Sequence, residues 1–205
     1  MTEIPLFPLN LVLFPGGPLP LRIFETRYVD MVRRCLRESR GFGVVLIRAG
    51  REAGPAEFDA VGTYANIADF HQLPDGLLGL SCVGDRRFRI LSSRRQADGL
   101  NLGEVDWLAP EPAVALPERH AELAQLLRSV LPQLGESYAG IEMRLEDAAW
   151  VGHRLAEILP LEPATKQLCL ELSDPLRRLD LLAPLIHVSP PGDDSGPDGP
   201  DSIRH

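Results

Sequence analysis

Apolar and polar positions alternate with one period in the first half of the chain and another in the second. Over residues 1–108 the apolar side chains fall in short runs and alternations, which predicts a mostly β segment. The run 11–14 (LVLF) follows a proline-punctuated start and meets the turn cluster Pro15-Gly16-Gly17-Pro18. Leu19, Leu21 and Ile23 then alternate with Pro20 and Arg22 in a short strand. Next the period lengthens. Tyr28, Val29, Val32, Cys35 and Leu36 share one helical face, and Arg33, Arg34, Arg37 and Glu38 lie opposite. Thr26 stands where an N-cap belongs and Gly41 where the helix should stop. The β-branched run 42–47 suits a buried strand, and 50–55 is a loop. Residues 62–73 and 77–84 flank Pro74-Asp75-Gly76, a hairpin signal, because Asp-Gly supplies the positive φ of a tight turn. Residues 86–92 and 100–108 predict two further strands around an Asp98-Gly99 turn.

A connector containing Pro110, Pro112 and Pro117 opens the helical half. Leu123, Leu126, Leu127, Val130, Leu131 and Leu134 keep helical spacing, as do Val151, Leu155, Ile158 and Leu159. Pro163 suits the first turn of a third helix, with Leu168, Cys169 and Leu172 facing one way. Asp174-Pro175 is an N-cap followed by a proline at the first helical position. The helix it opens places Leu176, Leu179, Ala183 and Ile186 on one stripe. Four amphipathic helices predict a small bundle packed on the β part. Residues 189–205 hold four Pro, three Gly and four Asp but a single aliphatic residue, Ile203. Such a segment cannot bury enough surface to offset its ordering entropy and is expected to be a disordered acidic tail. The expected organisation is therefore 1–109 β-rich, 110–188 helical and 189–205 tail.

Charge narrows the function classes. The net charge is −8, which disfavours a general nucleic-acid binder and docking on an anionic membrane. No apolar run is long enough for a membrane span, and the acidic, proline-broken start does not resemble a signal peptide. The expected location is cytoplasmic. Cys35, Cys82 and Cys169 are widely spaced and odd in number, which reads as buried free thiols, with no disulfide framework or metal site.

The opening IPLFPLNLVLFPGGPLPLRIFETRY resembles the start of the LON N-terminal, or substrate-binding, domain family. Its parts come in that family's order: a Pro-Leu-x-Pro-Leu strand, a VxFPG turn, LPL, then IFExRY opening a helix. Val61-Gly62-Thr63 through Leu73-Pro74-Asp75-Gly76 resembles the family's VGTxAxIxxxxxLPDG. Val83 to Ile90 resembles GxxRFRI, and Ile158-Leu159-Pro160-Leu161 with Lys166-Gln167 fits its helical part. The resemblance covers about 1–186, and it is the ordered set that is specific. It implies an α+β fold, a β-rich PUA-like pseudobarrel followed by a C-terminal helical bundle. It also implies the company of stand-alone bacterial members that lack the ATPase and protease domains.

The residues agree with a protein that carries no catalytic set. Lys166 sits in ATKQ with no preceding glycines, so there is no phosphate-cradling loop. Pro197 to Ser202 echoes the strand around the family's catalytic serine, but it lies in the tail and no lysine follows. The five histidines show no i, i+4 pair and no neighbouring Cys, so no metal or cofactor site is expected. Glu142, Glu146 and Asp147 read as a solvated helix start. The basic run Arg86, Arg87, Arg89, Arg94 and Arg95 is split between two strand faces, which favours a solvated surface over an RNA site.

The function implied by the resemblance is non-catalytic protein or peptide binding. The partner would be an unfolded or partly folded polypeptide, or a protease or chaperone. Leu19, Phe24, Arg27 and Tyr28, where a strand hands over to a helix, are the candidate lining of a groove for an extended apolar peptide, held by sheet-edge hydrogen bonds and side-chain pockets. The structural reading of this motif comes first: Pro15, Gly16 and Gly17 turn the chain, and Phe24 and Tyr28 are core plugs seating the helix on the barrel. A PUA-like RNA-binding module and an unrecognised hydrolase are the alternatives. Steep salt dependence would mark RNA, and a convergent Ser–His–Asp geometry would mark a hydrolase.

Overall fold

The computed structural model describes residues 2–50, 52 and 56–186. The expected acidic tail lies outside the described residues. Seven strands form the sheet among those described: β1 (Thr2–Leu9), β2 (Pro18–Ile23), β3 (Phe42–Gly50), β4 (Ala56–Phe58), β5 (Val61–Gln72), β6 (Leu78–Arg95) and β7 (Asn101–Trp107). β1, β7, β6, β5 and β3 are successive neighbours, and β1 also pairs in parallel with β3. Those five strands therefore close into a ring, which removes most of the exposed edge. Outside the ring, β2 runs antiparallel along the first half of β6, and the short β4 lies along the end of β3. The helices are α1 (Thr26–Arg37), α2 (Ala121–Val130), α3 (Ala148–Ile158), α4 (Pro163–Glu171) and α5 (Pro175–Leu182). This is an α+β pseudobarrel followed by helices.

Alternating strand residues feed two apolar clusters. Phe7, Leu9, Phe42, Val44 and Ala65 pack with Tyr28, Met31, Val32 and Cys35 of α1. Ile4, Leu6, Val45, Phe88 and Val105 form the second. A third cluster joins the two halves: Val12, Phe14, Leu46 and Val61 meet Leu127, Val151, Leu155, Cys169, Leu170 and Leu179. All three cysteines are free and buried.

Several expectations are corrected. The run 11–14 is not a strand. Val12 and Phe14 plug the helical cluster and Leu13 the α1 cluster, a division that alternating pleats cannot make here. Residues 77–84 and 86–92 do not form separate strands, because β6 runs unbroken from Leu78 to Arg95. Within β6, Gly84 serves close approach. Its N–H donates to Gly17 O at 2.8 Å, its carbonyl accepts from Gly16 N at 2.7 Å, and a Cβ would collide with Phe14 O. Thr26 is the first helical residue and Glu25 the cap, and the left-handed residue after α1 is Ser39, with φ 50°. In the helical half, Pro132 ends α2 in a 3-10 turn at Leu131–Gln133. On α4 the buried residues are Gln167, Cys169 and Leu170, while Leu168 faces out. Asp147 and Asp174 cap α3 and α5, each accepting from two backbone N–H groups.

Leu127 is fully enclosed at the middle of the helical cluster. Leu127→Ala should cost about 3 kcal/mol, the lost transfer energy plus a cavity. An unchanged urea midpoint would show that the cluster collapses around the gap.

Candidate functional site

The four residues proposed from sequence do not share a surface. Leu19 is 4% exposed and Tyr28 3%, and both belong to the α1 cluster. Tyr28 lies against Phe7 with ring centroids 4.0 Å apart, and burial pushes its hydroxyl up to about 12. Arg27 is 8% exposed, and its guanidinium is spent: Nη1 donates to Gly99 O at 2.9 Å, Nη2 to Glu52 O at 2.8 Å and Nε to Glu25 at 2.9 Å. It fastens two turns to the start of α1. Tyr28 is thus the core plug that the structural reading expects, Leu19 is buried with it, and Arg27 is a clamp. Phe24 is not the plug of that reading: it stands at the surface, 67% exposed.

Phe24 lines an open groove of about 700 Å³ between α1 and the tip of the β5–β6 hairpin. Val29, Val32, Arg33 and Leu36 form one wall, Phe70 to Gln72 the other, and Ile23, Leu77 and Leu78 complete it. The groove exists because the apolar stripe of α1 is wider than the sheet beneath it. Tyr28, Met31, Val32 and Cys35 go into the core, and Val29 and Leu36 are left at its margin. Across the sheet, Leu21, Leu80 and Phe70 are opposite one another on β2, β6 and β5. α1 covers Leu80 and leaves Phe70 54% exposed, with Leu36 at 37%. An exposed concentration of large apolar side chains in a concave site marks an interaction surface. Sequence reading placed Leu36 on the buried face and passed over Phe70, whose signal is an aromatic residue among polar ones in ADFHQ.

Two buried polar networks lock the rest of the molecule. Glu111, on the connector, pairs with Arg178 of α5 at 2.6 Å, Arg87 of β6 at 3.1 Å and His153 of α3 at 3.2 Å. Two guanidiniums face one carboxylate. The excess positive charge is answered by the C-terminal end of α4, whose Leu170 and Leu172 carbonyls accept from Arg87 and whose Cys169 carbonyl accepts from Arg178. Arg87 is therefore an interior strut and no part of a solvated basic face. Arg86 stacks over Trp107 and Arg94 is paired with Glu3, so the run offers no assembled phosphate-binding surface. In the second network the buried Arg154 of α3 donates to Pro15 O and Gly16 O, both at 3.0 Å, and pairs with Glu157 at 2.9 Å. Gly16 has φ 72°, so the turn needs its glycine.

Burial raises the Glu111 carboxyl, but hydrogen bonds from His153 and Arg178 outweigh it and hold it at about 2. Burial pushes His153 down to about 4, against its hydrogen bond to Glu111 and with the help of Arg178. Both groups bind protons more readily in the unfolded chain, where they titrate near 6.5 and 4.5. Stability should therefore be complete above pH 6.5 and fall as pH drops toward 4, with a further loss toward pH 2 from Glu111. In denaturant melts, His153→Gln should flatten the change between pH 6.5 and 4. A mutant keeping the full slope would place the titration elsewhere.

His120 pairs with Asp180 at 2.9 Å, and His153 with Glu111, but no serine hydroxyl hydrogen-bonds to either histidine among the described residues. Nor do those residues contain a group of three or more His, Cys, Asp or Glu side chains able to hold a metal, or a helix long and apolar enough to cross a membrane.

The described residues thus form a small closed barrel locked to a helical half, with an open apolar groove beside α1. The chain belongs to the ATP-dependent protease La (LON) substrate-binding domain family, whose profile matches residues 3–188. It is 42% identical to a Lon N-terminal domain protein from Xanthomonas campestris of known crystal structure, with a TM-score of 0.75 over 90% of this chain and 98% of that one. The N-terminal domain of a Mycobacterium avium complex Lon protease shares the fold at 18% identity, with a TM-score of 0.60 over 89% of this chain and 97% of that one. Among full-length relatives, the Lon protease of Paraburkholderia phytofirmans is 30% identical over 83% of this chain and 22% of its own length. The protein cereblon of Xenopus tropicalis is 28% identical over 63% of this chain and 29% of its own. The chain thus spans less than a third of either relative.

Proposed function

We propose that this protein is a cytoplasmic, non-catalytic recognition module that captures exposed apolar segments of unfolded or partly folded polypeptides, for its own use or for a partner protease or chaperone. The observation that carries the reading is the groove, where Phe24, Leu36 and Phe70 remain exposed beside the buried Tyr28, Met31, Val32 and Cys35 of α1. Family membership supports it, since the family is defined by substrate binding. The site moves from the strand-to-helix junction to its outer side, and of the four residues first considered it keeps Phe24.

The test is calorimetric titration of reduced, carboxymethylated α-lactalbumin, a permanently unfolded chain. Wild type should bind with an affinity on the order of micromolar, because a disordered ligand loses entropy on binding. Phe24→Ser/Phe70→Ser should weaken binding by about tenfold or more, and its melting temperature should hold, since both side chains are largely exposed. Absence of binding by wild type at high micromolar concentrations contradicts the reading.

A further inference from the structure

The groove has a sheet edge along one wall. Residues 63–65 of β5 are covered by β3, but residues 66–72 have β6 on one side and no strand on the other among the described residues. The opposite edge of this three-stranded tip is β2, where Pro18 and Pro20 remove two backbone donors. The β5 edge carries no proline. It has a guard of another kind: Asp69 turns its carboxylate onto the N–H of Phe70, at 2.8 Å. That N–H is thus not spent on β6, and a charged side chain blocks the place where a new strand would pair.

The far wall of the groove supplies charge. Arg33 is exposed there and already paired with Asp30 at 3.2 Å. Arg34 and Arg37, next to it on α1, have no ion-pair partner among the described residues and share a second depression with Arg33, Leu36, Asp30 and Asp98. Three arginines against two aspartates leave that rim with a net positive charge beside the apolar groove.

Resting on the polypeptide-capture reading, we infer that the captured segment enters as an added β-strand on the free edge of β5, displacing the Asp69 carboxylate from the Phe70 N–H, with alternate apolar side chains over Phe70 and a neighbouring Asp or Glu toward Arg33 and Arg37. Backbone pairing makes the site tolerant of sequence, and the period of two sets what it selects. Arg33 and Arg37 are one helical turn apart, about 5–6 Å, the span of roughly two extended residues.

The probe is a ten-residue synthetic peptide carrying Phe or Leu at alternate positions, Ser between them and Asp at the last groove-side position. It should bind wild type. Two versions, N-methylated on one or the other set of alternate amides, separate the modes. One set should lose about tenfold or more and the other little, because one set of amides faces β5. Asp69→Ala should bind several-fold tighter, since the Phe70 N–H is then free. Phe70→Pro should bind more weakly than Phe70→Ala, which keeps that N–H. Lys in place of the peptide's Asp should cost about threefold in affinity at low salt. Equal tolerance of both methylated sets, with no change in Asp69→Ala, would overturn strand addition while leaving capture in the groove intact. A wild-type protein that binds neither this peptide nor the unfolded chain would overturn capture itself. A dimer that competes with the peptide in light scattering would assign the edge to a second copy and overturn the inference.

Discussion

Glu111→Ala should destabilise the protein by about 5 kcal/mol, the upper end for breaking a buried ion pair. The reason is what the mutation leaves behind. Arg87 and Arg178 would face each other with no carboxylate between them, and His153 would lose its acceptor. Neither guanidinium reaches water by a small movement, since Arg178 is fully buried and Arg87 nearly so. Chemical denaturation measures the loss. Adding Arg178→Met should restore part of it, because two unpaired buried charges facing each other are worse than one. A loss below about 1 kcal/mol would mean that water enters the network and screens it. The pH range matters here, since His153 and Glu111 both weaken the folded state on acidification, so the comparison belongs above pH 6.5.

Arg154→Ala should cost about 3–5 kcal/mol by a related route. Its guanidinium holds the Pro15 and Gly16 carbonyls to α3 and answers the Glu157 carboxylate, which Tyr138 also contacts. Removing it strands a carboxylate whose pKa burial already raises. The expected signature goes beyond a lower midpoint. The turn at Pro15-Gly16-Gly17 should gain hydrogen exchange before the barrel does, because this contact joins it to the helical half. Uniform loss of protection across both halves would show instead that they unfold as one unit.

These two networks explain which parts of the fold were legible in the sequence. Local pattern located α1, the β5–β6 hairpin and the cap at Asp174, because each depends on neighbours within a few residues. It gave no sign of Gly84's contact with Gly17 far along the chain, and it misread Arg87, which looks like one of several surface arginines until Glu111 reaches it. Contacts between residues so distant leave no local period. The groove was half legible for a similar reason. The strand-to-helix junction containing Phe24 was recognised, but Leu19 and Tyr28 were the obvious apolar candidates and the core took them. Phe70 became part of the site only because α1 stops short of covering it, a fact of helix placement.

The most direct measurement of the central claim is heteronuclear NMR of the isotope-labelled protein titrated with reduced, carboxymethylated α-lactalbumin. Amide and methyl shifts should move at Phe24, Val29, Leu36, Phe70 and Leu78, around one groove, and stay still at Leu127, Val151 and Leu170 in the helical cluster. Shifts confined to that cluster, or none at saturating polypeptide, would contradict the account.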